Sequence, residues 1–144
     1  MPGLDVSINK FFNAVSKVNI KQQCELFYDK AAVFEDPMVH LEGREQLVSY
    51  YSRLYDNVVE IRFDVSSEIC VGEETFARWT MHLKHKKLKG GEPVVVDGCS
   101  FVRSRDGKAV YHRDYFDLGS MLYENLPLFG TLTRLVRGVA AGSH

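Results

Sequence analysis

Apolar residues return at helical spacing three times in the first 55 residues and then give way to strand-like alternation. Ile8, Phe11, Phe12, Val15 and Val18 recur at three- and four-residue steps, which predicts an amphipathic helix with Asp5 or Ser7 as N-cap. Asn19 with Gln22 resembles a capping box, and Ile20, Cys24, Phe27 and Tyr28 then lie along one side of a second short helix. Ala32 to Asp36 reads as a short extended run stopped by Pro37. Gly43 opens a third helix with Leu47, Val48, Tyr51, Leu54 and Tyr55 on one face. From 59 to 118, Gly72, the Gly90-Gly91 pair and the Asp106-Gly107 turn signal divide the chain into four long extended segments, an antiparallel meander. Strands this long twist and coil, so the sheet has a concave side that the helices would cover, leaving a pocket for a small ligand.

Which residues face that pocket is partly legible. Ala77, Trp79, Met81 and Leu83 share one parity against Arg78, Thr80, His82 and Lys84, so Trp79 and Met81 should point inward. From Val94 to Arg103, and again from Val110 to Asp117, pattern alone leaves both faces open. We take Asp97, Cys99 and Phe101 as inward on the first of these segments, and His112, Asp114 and Phe116 on the second. Together with Phe12, Tyr28, Phe34, Tyr51, Tyr55, Trp79 and Met81 they make the expected pocket lining. After Gly119, two periodic apolar runs predict a helical extension over 120–141 that lids the pocket or packs across a dimer.

Composition sets bounds on this picture. The chain has 144 residues and is 45% hydrophobic, enough for a single domain over 1–144 with one core. Lys and Arg number 18 against 19 Asp and Glu, for a net charge of -1, so no strong field favours nucleic acid. The longest apolar runs fall far short of the roughly 20 residues that cross a bilayer, and no leader-like stretch follows Met1. No membrane association is expected, and the location expected is cytoplasmic. Cys24, Cys70 and Cys99 are odd in number and lack metal-binding spacing, as reduced thiols do. Lys84 to Lys89 forms a basic hairpin end, read as a solvated turn.

Two stretches carry a family resemblance. Phe27-Tyr28-Asp29-Lys30-Ala31-Ala32-Val33-Phe34-Glu35-Asp36-Pro37, with Gly43-Arg44-Glu45 after it, resembles the signature of the NTF2-like superfamily, above all its ketosteroid isomerase and SnoaL-like branches. His112-Arg113-Asp114-Tyr115-Phe116-Asp117 resembles the last strand of limonene-epoxide-hydrolase-like members. The resemblance spans about residues 5 to 120 and implies an α+β cone, a curved antiparallel sheet covered by three N-terminal helices, with a C-terminal helical tail. The scaffold hosts isomerases, hydrolases, cyclases and noncatalytic binding modules, so it does not fix a reaction.

The isomerase pattern, carried over, places its general base at Asp36, where burial in an apolar pocket suits a proton shuttle. Its two oxyanion donors fall near Phe12 and Cys99, a side chain that cannot donate and one that donates weakly. The hydrolase pattern places an acid at Asp114 and an arginine at Arg78, but its second acid falls on Thr80 or Met81. Asp36, Asp114 and His112 are therefore the candidate catalytic residues, with His112 orienting Asp114. The function expected is cofactor-independent acid-base chemistry on a small apolar molecule, of isomerase, hydrolase or cyclase type. The alternative is a noncatalytic ligand-binding or dimerisation module. No metal or cofactor is expected, and a homodimer is, because the outer sheet face would otherwise stand exposed.

Overall fold

The computed structural model describes residues 3–121. Helix α1 (Ile8–Ala14) begins at Ser7, whose hydroxyl accepts from Lys10 N at 3.0 Å. Glu68, sixty residues away in sequence, accepts from Ile8 N and Asn9 N at 2.8 and 3.0 Å, so the free N–H groups at the helix start tie it to the sheet. Asn13 continues the attachment by exchanging two hydrogen bonds with the backbone of Phe63. The helix ends at Ala14 and leaves Val18 exposed, short of the expected span. Helix α2 (Ile20–Phe27) follows, without the expected capping box. Asn19 instead accepts from Ser16 N and donates to Ala14 O, closing the turn before the helix rather than its first turn.

Tyr28 opens strand β1 (Tyr28–Glu35) rather than ending the helix. Pro37 stops the strand, and a short strand not evident in the sequence, β2 (His40–Glu42), folds back on it. Helix α3 (Arg44–Tyr55) comes next, and then β3 (Val58–Val71), β4 (Glu74–His85), β5 (Val94–Arg105) and β6 (Lys108–Phe116) form the expected meander. A short helix α4 (Leu118–Met121) starts the expected extension, and the rest of that extension lies outside the described residues. Asp106 and Gly107, with φ of 53° and 81°, make the two-residue turn between β5 and β6 that the sequence signals. Asp5 packs its carboxylate where a Gly107 Cβ would stand and donates its backbone N–H to Gly107 O at 2.9 Å.

The sheet order is β2-β1-β6-β5-β4-β3. All pairings are antiparallel except one, so the sheet is mixed rather than antiparallel throughout. β1 lies parallel to β6, with Val33, Phe34 and Glu35 opposite Tyr111, His112 and Arg113. A parallel pair needs a long crossover, and α3 with four strands, β2 to β5, supplies it. The three helices cover one face of this sheet, and Phe11, Phe27, Tyr28, Phe34, Leu47 and Trp79 are buried between them. The other face keeps Ile69, Val71, Phe76, Val95 and Tyr115 exposed.

Register decides the orientation that the sequence left open. Trp79 stands directly opposite Gly98, Met81 opposite Val96 and Ala77 opposite Ser100, and residues paired across strands share a face. Trp79 is inward, so Val94, Val96, Gly98, Ser100 and Val102 are inward too. Asp97, Cys99 and Phe101 consequently face outward, against expectation. Gly98 makes this seat possible, because a Cβ there would overlap the Trp79 indole. On β6 the same register turns His112, Asp114 and Phe116 inward.

Gly98→Ala should therefore cost about 1–3 kcal/mol, as overpacking of a filled core does. Urea unfolding measures it, and the cost should shrink when Trp79 is Leu in a double-mutant cycle. An equal cost in both backgrounds would contradict the packing account.

Candidate active site

The covered face of the sheet encloses a cavity of about 200 Å³. Its walls are Phe11, Phe12, Val15 and Phe34 on one side, Tyr50, Tyr51, Leu54 and Tyr55 from α3, and Phe63, Trp79, Met81, Leu83 and Phe116 from the sheet. Met38, Val58, Ile61, His85 and Leu88 complete them. A cavity of about 150 Å³ already holds a benzene ring, so this one takes a molecule of one or two rings. The polar groups on its walls are few. Asp36, Asp114, His85 and the tyrosine hydroxyls supply them.

Asp114 sits at the end of a buried hydrogen-bond chain. Trp79 Nε1 donates to Ser100 Oγ at 2.9 Å, and Ser100 Oγ donates to Asp114 Oδ1 at 2.6 Å. His112 Nε2 donates to the same oxygen at 2.6 Å. The other imidazole nitrogen, Nδ1, lies 2.6 Å from Tyr28 Oη, which is 3.0 Å from Tyr51 Oη. With Asp114 as a carboxylate, which can only accept, Nε2 carries the proton, and Nδ1 of that tautomer accepts from Tyr28. His112 and Tyr28 are wholly buried, whereas Asp114 keeps 16% of its side chain exposed. Its Oδ2 accepts from no described residue and faces the cavity side of the sheet.

Asp36 is placed differently. Oδ1 accepts from Met38 N and Val39 N at 2.7 and 2.9 Å, the turn-capping geometry common for aspartate before proline. Oδ2 accepts from Tyr50 Oη at 2.7 Å. Both oxygens are thus engaged, and the side chain lines the cavity as a fixed acceptor.

Of the expected lining, Phe12, Phe34, Tyr51, Tyr55, Trp79, Met81 and Phe116 line the cavity. Tyr28 stands behind the wall in the hydrogen-bond chain. Asp97, Cys99 and Phe101 do not reach it: Asp97 accepts from Thr80 Oγ1, Cys99 is exposed, and Phe101 packs on Phe76 outside. Arg78 also lies on the exposed face. Sequence pattern missed Tyr50 and Ser100. Tyr50 lies three residues after the buried Leu47 and was legible from spacing. Ser100 was not, because only strand register brings it opposite Asp114. The basic hairpin end is more than a solvated turn, since Leu88 is buried with Leu83, Val94 and Val96 at the cavity's end. Burial and the Lys87 charge together hold His85 below the usual imidazole range.

Burial governs the titration of the α3 side. It pushes Tyr55 up to about 12, Cys24 up to about 12, and Tyr28 and Tyr51 well above the ordinary tyrosine range. Tyr55 remains a neutral O–H donor, and its hydroxyl has no hydrogen-bond partner among the described residues.

Sequence and structure comparisons agree with this architecture. Residues 8–112 match the profile of the SnoaL-like domain. No curated protein matches the chain. Among solved structures, a hypothetical protein of Catenulispora acidiphila with a ketosteroid isomerase-like fold, in complex with trimethylamine, has a TM-score of 0.67 at 19% identity, over 76% of this chain and 85% of its own. An LEH-like epoxide hydrolase of M. tuberculosis has a TM-score of 0.64 at 19% identity, over 92% of this chain and 91% of its own. TsrD from Streptomyces laurentii has a TM-score of 0.67 at 19% identity, over 81% and 90%. At these identities the likeness is one of fold. Among the described residues, no helix is long and apolar enough to cross a membrane.

Two outcomes follow from the buried groups. Tyr28→Phe leaves His112 Nδ1 without its donor and Tyr51 without its acceptor, and should cost about 1–3 kcal/mol in urea unfolding. A negligible change would show that the chain contributes nothing to stability. The raised thiol and phenols give a pH dependence: the unfolded chain releases these protons at ordinary values, near 9 for Cys24 and 10 for the tyrosines, while the folded chain retains them. Their contribution is whole below pH 9 and declines as pH rises toward 12. Denaturant midpoints at pH 8, 10 and 11 should fall in that order, and a flat profile would contradict the burial.

Proposed function

The chain belongs to the SnoaL-like domain family of the NTF2-like superfamily, and from that premise we propose that it is a cofactor-independent acid-base enzyme for a small, largely apolar molecule. One observation carries this reading: Asp114, on the wall of an apolar cavity, has one oxygen fixed by Ser100 and His112 and the other without a partner among the described residues. A carboxylate so held accepts a proton from carbon or from water without first breaking a hydrogen bond of its own. His112 and Tyr28 orient it, and His112 Nε2–H stabilises it without competing for the free oxygen. Tyr55, a neutral phenol lining the same cavity from α3, is the group that donates to an oxygen gaining negative charge. Asp36, engaged at both oxygens, shapes the wall.

Steroid isomerisation by the family's route does not fit this chain. Phe12 lines the cavity but cannot donate, and Cys99 is on the far side of the sheet. A four-ring skeleton would also overfill the cavity. The same vacant donor positions favour the second reading, a binding module without chemistry.

Proton exchange separates the two. The wild-type protein should accelerate deuterium incorporation alpha to the carbonyl of 2-tetralone in D₂O, followed by mass spectrometry. Asp114→Asn should lower that rate about 10²–10⁴-fold, the usual range for removing a general base. Asp36→Asn should act far less. No acceleration by the wild type, or an unchanged rate in Asp114→Asn, would favour the binding module.

A further inference from the structure

The charge on the cavity wall is one-sided. Asp36 and Asp114 both line it; among the described residues no lysine or arginine does, and His85, the one basic group there, is held toward its neutral form. Neither carboxylate makes an ion pair with a lysine or arginine among the described residues; Asp36 accepts only from two backbone N–H groups and Tyr50. Lys86, Lys87 and Lys89 are exposed at the hairpin end, where water and salt screen them. The rest of the wall is aromatic, and its rings are inclined rather than stacked. Trp79 meets Phe12 at 70° and Phe63 at 83°, and Tyr51 meets Tyr55 at 82°. Rings set this way line the cavity without lying flat on one another.

We propose that this cavity selects a small apolar cation, a molecule carrying a tertiary or quaternary alkylammonium group. Aromatic faces carry negative quadrupole potential and attract such a group at close range. A cation leaving water for an apolar site also needs opposite charge to offset its lost hydration, and the two carboxylates provide it. An alkylammonium is the cation whose hydration is weakest and whose methyl groups fill an apolar wall. This specifies the substrate class for the site already described and rests on the cavity being the ligand site. Asp36, fixed by three donors, would supply the standing charge, leaving Asp114 Oδ2 for the reacting atoms.

Two isosteric probes test this by calorimetric titration: choline and 3,3-dimethylbutan-1-ol, which differ in a charged nitrogen replaced by carbon. Choline should bind the wild-type protein at least tenfold more tightly. Asp36→Asn retains an oxygen for the turn and should lose most of that preference while binding the alcohol as before. Asp114→Asn should lose part of it. Equal affinity for the two probes, no binding of either at millimolar concentration, or an undiminished preference in both folded variants would overturn the proposal. The deuterium-exchange readout is independent: exchange lost in Asp114→Asn without any cation preference would leave the acid-base reading standing and refute this one.

Discussion

The seating of Trp79 over Gly98 is the contact on which the site depends. The indole occupies the space that any side chain at 98 would fill, and it locks β4 to β5 in one register. The same register carries Ser100 under the indole N–H and sets Asp114 opposite Ser100. A slip of one residue would turn Ser100, Asp114 and His112 to the exposed face together, because side chains alternate along a strand. A packing constraint between a large side chain and the absence of one opposite it thus becomes a constraint on where the carboxylate points.

The buried polar groups around Asp114 satisfy one another, and the chain of bonds ends at the cavity. Tyr51, Tyr28 and His112 form one arm, Trp79 and Ser100 the other, and both arrive at the same oxygen of Asp114. Such networks are rigid when complete and costly when broken. Two aspartates on one wall therefore differ in kind. Asp36 is consumed by the turn after β1 and by Tyr50, while Asp114 is held from behind and keeps one oxygen without a partner among the described residues.

Much of this was legible in the sequence. The apolar periodicities of α1, α2 and α3, the Asp106-Gly107 turn and the alternation through Ala77, Trp79 and Met81 each arise from local physics, and the structure follows them. The reading failed where a distant partner decides. Residues 94 to 103 place Val94, Val96 and Val102 with Gly98 and Ser100 on the inward parity, and Val95, Cys99 and Phe101 with Asp97 and Arg103 on the outward one, so apolar pattern does not separate the faces and the assignment of Asp97, Cys99 and Phe101 to the cavity fails. The glycine opposite a tryptophan was the available signal, but it speaks only once the strands are paired. The hydrogen bond between Tyr28 and His112 joins residues 84 apart and arises from the parallel pairing of β1 with β6, which no local pattern announces. Asp36 was visible in the sequence as a proton shuttle, and its hydrogen bonds place it in the turn.

The central claim is that Asp114 is a carboxylate oriented from behind by the Nε2–H of His112. Long-range ¹⁵N NMR of the imidazole in the wild-type protein at neutral pH tests it most directly. The account predicts a protonated Nε2 facing Asp114 and an unprotonated Nδ1 accepting from Tyr28. An Nδ1–H tautomer, with Nε2 bare toward Asp114, would place the proton on the aspartate and contradict it.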